Sequence, residues 1–133
     1  MLNVLKHKII NGVKTVSLYF TSIGFMLVGI KHFSDPDFFI NIMPPYIPYH
    51  LQLVYLSGGF EILLGLLLLL KHSRIYAAWG LILLLIAVYP ANIYLAFNEA
   101  PQQALNISSF LASWVRLPLQ FVFIGFAYWQ TKA

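Results

Sequence analysis

Charged residues are scarce in this chain: they make up 9% of its 133 residues, whereas 60% of the residues are apolar. A soluble domain carries about 25% charged residues because its surface must face water. Eight basic and four acidic side chains are too few to solvate the surface of such a domain. The composition therefore predicts a protein whose solvent is the lipid bilayer, and the length predicts one membrane domain, residues 1–133.

Cysteine is absent from the sequence, which excludes disulfide scaffolds, thiolate metal sites and thiol redox chemistry within the chain. The histidines and carboxylates match no standard ligand spacing, so we expect no metal. The net charge of +4 does not indicate nucleic-acid binding, because the basic residues are divided among short segments between apolar runs. No catalytic residue is predicted, and we expect that the chain is not an enzyme on its own.

Four apolar runs account for most of the chain, and each has about the 20 residues that a membrane-spanning helix needs. Strands of a membrane barrel alternate in polarity, whereas the Leu and Ile runs at 66–70 and 81–86 do not. The predicted fold is therefore all-α, a polytopic membrane protein built as a bundle of four transmembrane helices. The predicted helices cover about residues 13–33, 51–70, 75–97 and 110–130.

The distribution of charge predicts the orientation of the bundle. Basic residues lie before the first run, between the second and third, and after the fourth. The other two connections contain Asp35, Asp37 and Glu99, with Lys31 as their only basic residue. Because Lys and Arg are enriched in cytoplasmic loops, both termini are predicted to be cytoplasmic, in the cytoplasmic membrane of a bacterium. The two acidic connections then form the outer side.

The first outer connection carries the signals of a short helix. Ser34 and Asp35 offer an N-cap, and Pro36 follows at the first helical position. We expect a helix that reaches towards Met43 and lies in the membrane interface. Prolines at 44, 45 and 48 then favour an extended return into the second span. This connection is either a stiff connector or a lid over an outward-facing cavity.

Polar side chains within the apolar runs gather towards the predicted outer side. A spacing of i, i+4 places Ser57 on the same helix face as Glu61, and Arg116 on the same face as Gln120. Asn92 lies in the outer third of its run. An isolated carboxylate near the bilayer midplane would be protonated or paired. Arg116 lies nearer the outer end of its run, but its long side chain can extend inward, which makes Arg116 the predicted partner of Glu61.

Two interpretations of these polar residues remain open. In the structural one, a Glu61–Arg116 pair supported by Asn92 and Gln120 locks the four helices together. In the functional one, the residues line a pocket that opens outward, with Glu61 at its floor and His32 at its mouth. The predicted ligand-binding residues are His32, Ser57, Glu61, Asn92, Arg116 and Gln120.

The region from about Gly29 to Trp129 resembles the DoxX-like family of small four-helix membrane proteins. The resemblance rests on short motifs in each of the four runs together with the Pro-rich outer connection. These motifs are His32-Phe33, Ser57-Gly58-Gly59-Phe60-Glu61-Ile62-Leu63-Leu64-Gly65, Arg74 with Ala77-Ala78, Pro90-Ala91-Asn92, and Arg116-Leu117-Pro118-Leu119-Gln120. The family is a four-helix membrane fold, in agreement with the four apolar runs.

The resemblance also implies a functional setting. The family takes its name from a membrane subunit linked to thiosulfate:quinone oxidoreduction, other members are associated with membrane redox complexes, and distant eukaryotic relatives act as cargo receptors or receptor chaperones. It therefore implies a small-molecule-binding or accessory subunit of a membrane redox system, with a quinone-like molecule as its ligand. Without cysteine, this chain cannot hold sulfur intermediates covalently.

Three hypotheses follow. The first is the quinone-binding or accessory subunit, whose partners would be the lipid bilayer and a membrane oxidoreductase. The second is a small proton-coupled transporter with Glu61 as its titrating group, which would require a homodimer because four helices are few for alternating access. The third is a non-catalytic scaffold or assembly factor for another membrane protein, in which Glu61 and Arg116 are structural.

Overall fold

The computed structural model describes residues 1–132, in which six α-helices and one π-helical stretch are joined by short connections and no strand occurs. The predicted all-α class is therefore confirmed. The elements are α1 (Leu2–Ser34), α2 (Pro36–Ile40), α3 (His50–Leu69), α4 (Arg74–Phe97), α5 (Glu99–Leu105), the π-helical stretch (Leu111–Val115) and α6 (Arg116–Gln130).

Four helices are long and apolar enough to cross a membrane, which indicates a membrane protein. Three of them begin and end within one residue of the predicted bounds: His50–Leu69, Arg74–Phe97 and Leu111–Gln130. Helix α1 contains the first predicted span, 13–33, but begins eleven residues before it, at Leu2. The basic residues before position 13 give this segment the low hydropathy of a region that flanks a membrane span. The segment is nevertheless helical, since lysine is a good helix former.

Two short helices occupy the connections at one end of the bundle, which we call the α2 end. The short helix predicted after Asp35 is present as α2, with Pro36 in its first turn. The second short helix, α5, was not predicted. Pro101 looks like a helix breaker in the sequence but lies in the first turn, where proline is tolerated. Asn106 ends α5 in the left-handed conformation, with φ 55°.

The four long helices form a ring in which each packs against two neighbours, in the order α1, α3, α4, α6 and back to α1. The contact between α1 and α3 is the most extensive and that between α1 and α6 the least. Helices α3 and α6 therefore lie diagonally across the bundle from each other. The opposite end of the bundle carries the chain termini and the connection at 70–73, and we call it the termini end.

Glycines allow the close contact between α1 and α3. A Cβ atom at Gly58 would lie 2.5 Å from the Cβ atom of His32 and 3.0 Å from the carbonyl oxygen of Gly29. A Cβ atom at Gly65 would lie 2.9 Å from the carbonyl oxygen of Ser22. Small residues that let two backbones approach are the usual basis of helix association in membranes. The two glycines therefore lie where α3 packs closely against α1.

An apolar core fills the termini half of the bundle. All four long helices contribute to it, and its buried residues are Leu18, Phe25, Leu68, Ala77, Ala78, Leu81, Ile82, Leu85 and Ala127. Arg74 closes the connection between α3 and α4, because its guanidinium donates hydrogen bonds to the carbonyl oxygens of Leu68 (3.0 Å) and Leu69 (3.2 Å) at the end of α3. The buried polar side chains divide between the two halves. Those in the termini half are Ser17, Thr21, Ser22 and Gln130, and those towards the α2 end are His32, Glu61, Asn92, Gln102 and Gln120.

We predict that Gly58→Ala destabilises the protein by about 1–3 kcal/mol, because the added methyl group overpacks the contact between α1 and α3. Gly59→Ala is the matched control, since a Cβ atom at Gly59 meets nothing within 4 Å. It should be neutral or stabilise the helix by up to about 1 kcal/mol. Unfolding in mild detergent measures both changes, and equal melting temperatures for the two variants would contradict this account of the packing.

Candidate functional site

A cavity of about 560 Å³ lies among the four long helices, between the apolar core and the α2 end. Phe25 and Leu85 belong both to the core and to the cavity wall, so the core forms the floor of the cavity. All six residues that the sequence predicts for a ligand site line this one cavity: His32, Ser57, Glu61, Asn92, Arg116 and Gln120. The rest of the lining is mainly apolar and aromatic.

One wall of the cavity carries a histidine and a carboxylate in contact. His32, near the end of α1, has its Nδ1 atom 3.1 Å from the Oε2 atom of Glu61 on α3, and both side chains are more than 90% buried. The close approach at Gly58 makes this contact, because the Cβ atom of His32 lies directly over that glycine. The sequence placed His32 at the mouth and Glu61 at the floor, whereas the two side chains are neighbours.

The Nδ1 atom of His32 also lies 2.8 Å from the carbonyl oxygen of Val28. A carbonyl oxygen accepts hydrogen bonds but cannot donate them, so Nδ1 must carry the hydrogen and donate it to Val28. The Oε2 atom of Glu61 is then close to Nδ1 without receiving a hydrogen bond, and it has no hydrogen-bond partner among the described residues. This oxygen remains available to a molecule in the cavity.

The opposite wall carries a chain of hydrogen bonds between α6 and α4. Arg116 Nη2 donates to Asn92 Oδ1 at 3.3 Å, and Asn92 Nδ2 donates to Gln120 Oε1 at 2.7 Å. Gln120 Nε2 then donates to the carbonyl oxygen of Leu85 at 2.6 Å. Because amides can donate and accept at once, three side chains join the two helices with one continuous network.

A widened helical turn precedes Arg116. The backbone N–H of Arg116 donates to the carbonyl oxygen of Leu111, five residues back, which is the hydrogen bond of a π-helix. Pro118 has no N–H group and cannot donate to the carbonyl oxygen of Trp114. The extra residue in this turn rotates the helix locally, and such insertions are frequent at functional sites. Hydropathy does not reveal it.

The predicted Glu61–Arg116 pair was wrong. Within residues 1–132, the close contact of the Glu61 carboxyl group is with His32, at 3.1 Å between Oε2 and Nδ1. Glu61 lies on α3 and Arg116 begins α6, and these helices are diagonal to each other, so the two side chains face the same cavity from opposite walls. The depth of a residue along a helix can be counted from the sequence, but the order of the helices around the ring cannot be determined from it.

The connection between α1 and α3 forms the roof of the cavity, and its residues were not among the six predicted for the ligand site. The ring of Phe39 stacks on that of His32, with centroids 3.6 Å apart and planes 16° from parallel. Ile42 is buried and packs with Leu95 and Ala112 on the far side of the bundle. The connection thus crosses the α2 end from one helix pair to the other. Residues in it that line the cavity are Phe39, Ile42, Met43, Pro44 and Ile47.

Three polar atoms at the cavity lack hydrogen-bond partners within the described part of the chain: Ser57 Oγ and Glu61 Oε2 on α3, and Arg116 Nε on the opposite wall. Buried polar atoms are nearly always hydrogen-bonded, so each such atom requires an explanation. A carboxyl group and a hydroxyl group can both donate and accept, whereas a guanidinium only donates. The cavity can therefore hold a molecule with polar groups facing both walls.

Residues 1–132 contain no cluster of three or more His, Cys, Asp or Glu side chains that would hold a metal ion. The only titratable side chains on the cavity wall are those of His32, Glu61 and Arg116. The chemistry available in the cavity is therefore hydrogen bonding and proton exchange.

Residues 21–131 match a family described as a domain of unknown function, DUF8561. The chain belongs to this family. No curated protein and no solved structure matches the chain. The DUF8561 region contains every residue of the cavity wall except Phe20, and it leaves out most of the exposed part of α1.

We predict that Gln120→Leu destabilises this DUF8561 protein by about 0.6–2 kcal/mol, the range measured for polar contacts between membrane helices. The change leaves Asn92 Nδ2 and the carbonyl oxygen of Leu85 without their partner. Gln103→Leu on the exposed side of α5 is the matched control and should stay within about 0.5 kcal/mol of the original protein. Unfolding in mild detergent measures the stability of both variants. Equal destabilisation of the two would show that the hydrogen-bond network does not stabilise the bundle.

Proposed function

We propose that this DUF8561 protein is a polytopic membrane protein that spans the bilayer with α1, α3, α4 and the helix from Leu111 to Gln130. Basic residues at the termini end, including Lys14, Lys71 and Arg74, support a cytoplasmic position for that end. Asp35, Asp37 and Glu99 at the α2 end support an outer position for the cavity. The proposed setting is the cytoplasmic membrane of a bacterium, with α2 in the outer interface.

We propose further that the cavity binds a small amphiphile with hydrogen-bonding groups on a flat head, of which a quinone is the representative. The observation that carries this proposal is the pair of facing polar walls with unpartnered atoms in an otherwise apolar cavity. Arg116 would donate to a carbonyl oxygen of the head on one side. Ser57 and Glu61 would bind its other side, where the carboxyl group can accept or release a proton.

The shape of the cavity supports a ligand that is dissolved in the bilayer. Leu56 and Phe60 on α3 line the cavity, and 56% and 45% of their surfaces are exposed. Ala87 on α4 both lines the cavity and is exposed. The roof lies across the α2 end of the cavity. We infer from these exposed lining residues that a gap between α3 and α4 offers an apolar entrance from the lipid.

Binding is better supported than transport, because the apolar core lies between the cavity and the termini end. The resemblance of the polar motifs to DoxX-like proteins supports a role as an accessory subunit of a membrane redox system. In that role the chain would present or accept the quinone, and a membrane oxidoreductase would perform the electron transfer.

We predict that short-chain quinone analogues raise the melting temperature of the purified protein by several degrees. A ligand at about 100 times its Kd stabilises a protein by about 2.7 kcal/mol. Glu61→Gln keeps the size of the side chain but removes its ability to ionise, and we expect the shift to disappear. Thermal unfolding in mild detergent, with and without the analogue, measures this effect.

Glu99→Gln is the matched control, because Glu99 is exposed on α5 and lies outside the cavity. This variant should retain the full shift. No shift with any quinone in the original protein would contradict the proposal. A lower melting temperature of ligand-free Glu61→Gln, combined with the absence of a shift in the original protein, would instead support the scaffold hypothesis.

A further inference from the structure

The first twelve residues of α1, 2–13, project beyond the rest of the bundle. Lys14 marks the level where the bundle ends, because its Nζ atom donates to the carbonyl oxygen of Lys132 and its own carbonyl oxygen accepts a hydrogen bond from Gln130. Every residue from 1 to 13 is exposed. At 1.5 Å per residue, the helix from Leu2 to Val13 extends about 18 Å past this level.

This projecting part of α1 has an apolar stripe. Leu2, Leu5, Ile9, Val13 and Val16 are spaced at intervals of three and four residues, which places them within an arc of about 80° on a helix of 3.6 residues per turn. Their exposed fractions lie between 53% and 81%. Five large apolar side chains on one face of a projecting helix are not stable in water, so a partner must cover the stripe.

The charges of this segment indicate which partner covers the stripe. Lys6 and Lys8 lie on the two sides of it, Lys14 lies on the opposite face, and residues 1–34 contain no acidic residue. Two copies of the helix packed through the stripe would bring like charges together without an acidic complement. A membrane surface with anionic headgroups suits a basic amphipathic helix, because the acyl chains cover its apolar side chains and the headgroups carry the negative charge that attracts its lysines.

The junction between the projecting segment and the bundle is suited to bending. Gly12 lowers helix propensity, and a Cβ atom there would meet nothing within 4 Å. Thr15 Oγ1 donates to the carbonyl oxygen of Asn11 at 2.9 Å, and Ser17 Oγ donates to that of Lys14 at 2.8 Å. Such back-bonding by hydroxyl side chains weakens and often bends helices.

We propose that residues 2–11 of α1 lie along the anionic surface of the leaflet at the termini end, bent at Asn11–Ser17, with the apolar stripe in the lipid and Lys6 and Lys8 at the headgroups. This surface helix contributes no residue to the cavity wall, and so it is a membrane-binding element separate from the cavity. It attaches the termini end of α1 to the membrane both through the charge of its lysines and through insertion of its apolar side chains.

Single-cysteine spin labels test this arrangement directly, because the chain contains no cysteine of its own. Labels are placed at Leu5→Cys and Ile9→Cys on the stripe and at Asn3→Cys and Asn11→Cys on the opposite face. The full-length protein is reconstituted in vesicles of phosphatidylcholine with phosphatidylglycerol. A label that is accessible to oxygen lies in lipid, and a label that is accessible to a water-soluble nickel chelate lies in water. Leu83→Cys is the control for the lipid-facing bundle, since Leu83 is 68% exposed on α4.

We expect labels at 5 and 9 to be accessible to oxygen and labels at 3 and 11 to nickel. Lys6→Gln combined with Lys8→Gln should lower the lipid-inserted fraction by about tenfold or more. Equal accessibility of all four positions to nickel, with the label at 83 still in lipid, would overturn the proposal. Spin–spin broadening at 5 and 9 with protection from both reagents would also overturn it, because a second copy would then cover the stripe.

Discussion

The close contact between α1 and α3 is the constraint on which the rest of the bundle depends. Because Gly29 and Gly58 have no side chains, the two backbones approach until the Cβ atom of His32 rests on α3. That approach brings His32 against Glu61 and fixes one polar wall. A separate network from Arg116 to the backbone of α4 fixes the other wall. The two helix pairs then face each other across the cavity.

The polar groups of the two walls differ in how completely they are satisfied. Asn92 bonds to Arg116 and Gln120, and Gln120 also bonds to the backbone of α4, so these amides hold α4 and α6 together. Ser57, Glu61 and Arg116 each keep a buried atom without a partner among residues 1–132. Leaving such atoms unpaired costs about 1–3 kcal/mol each. A bound ligand would recover part of that cost, which links the stability of the bundle to occupation of the cavity.

The four apolar runs were sufficient to predict the four long helices, except for the start of α1. The polar side chains within these runs were sufficient to predict six residues of the cavity wall, because such side chains turn inward. The sequence failed where the answer depends on the third dimension. The Glu61–Arg116 pair was drawn from depth alone, whereas the order of helices around the ring puts His32 beside Glu61. The roof residues, such as Phe39, and the π-helical turn before Arg116 leave no signal in hydropathy.

The central claim is that an amphiphile from the bilayer occupies the cavity, and native mass spectrometry of protein released from mild detergent tests it most directly. We predict one small molecule retained per chain, and its loss in Ala87→Trp, which blocks the gap between α3 and α4. Leu83→Trp introduces the same side chain one helical turn away, on the exposed face of α4, and should retain the molecule. Equal retention in all three proteins, or no retained molecule in any of them, would contradict the claim.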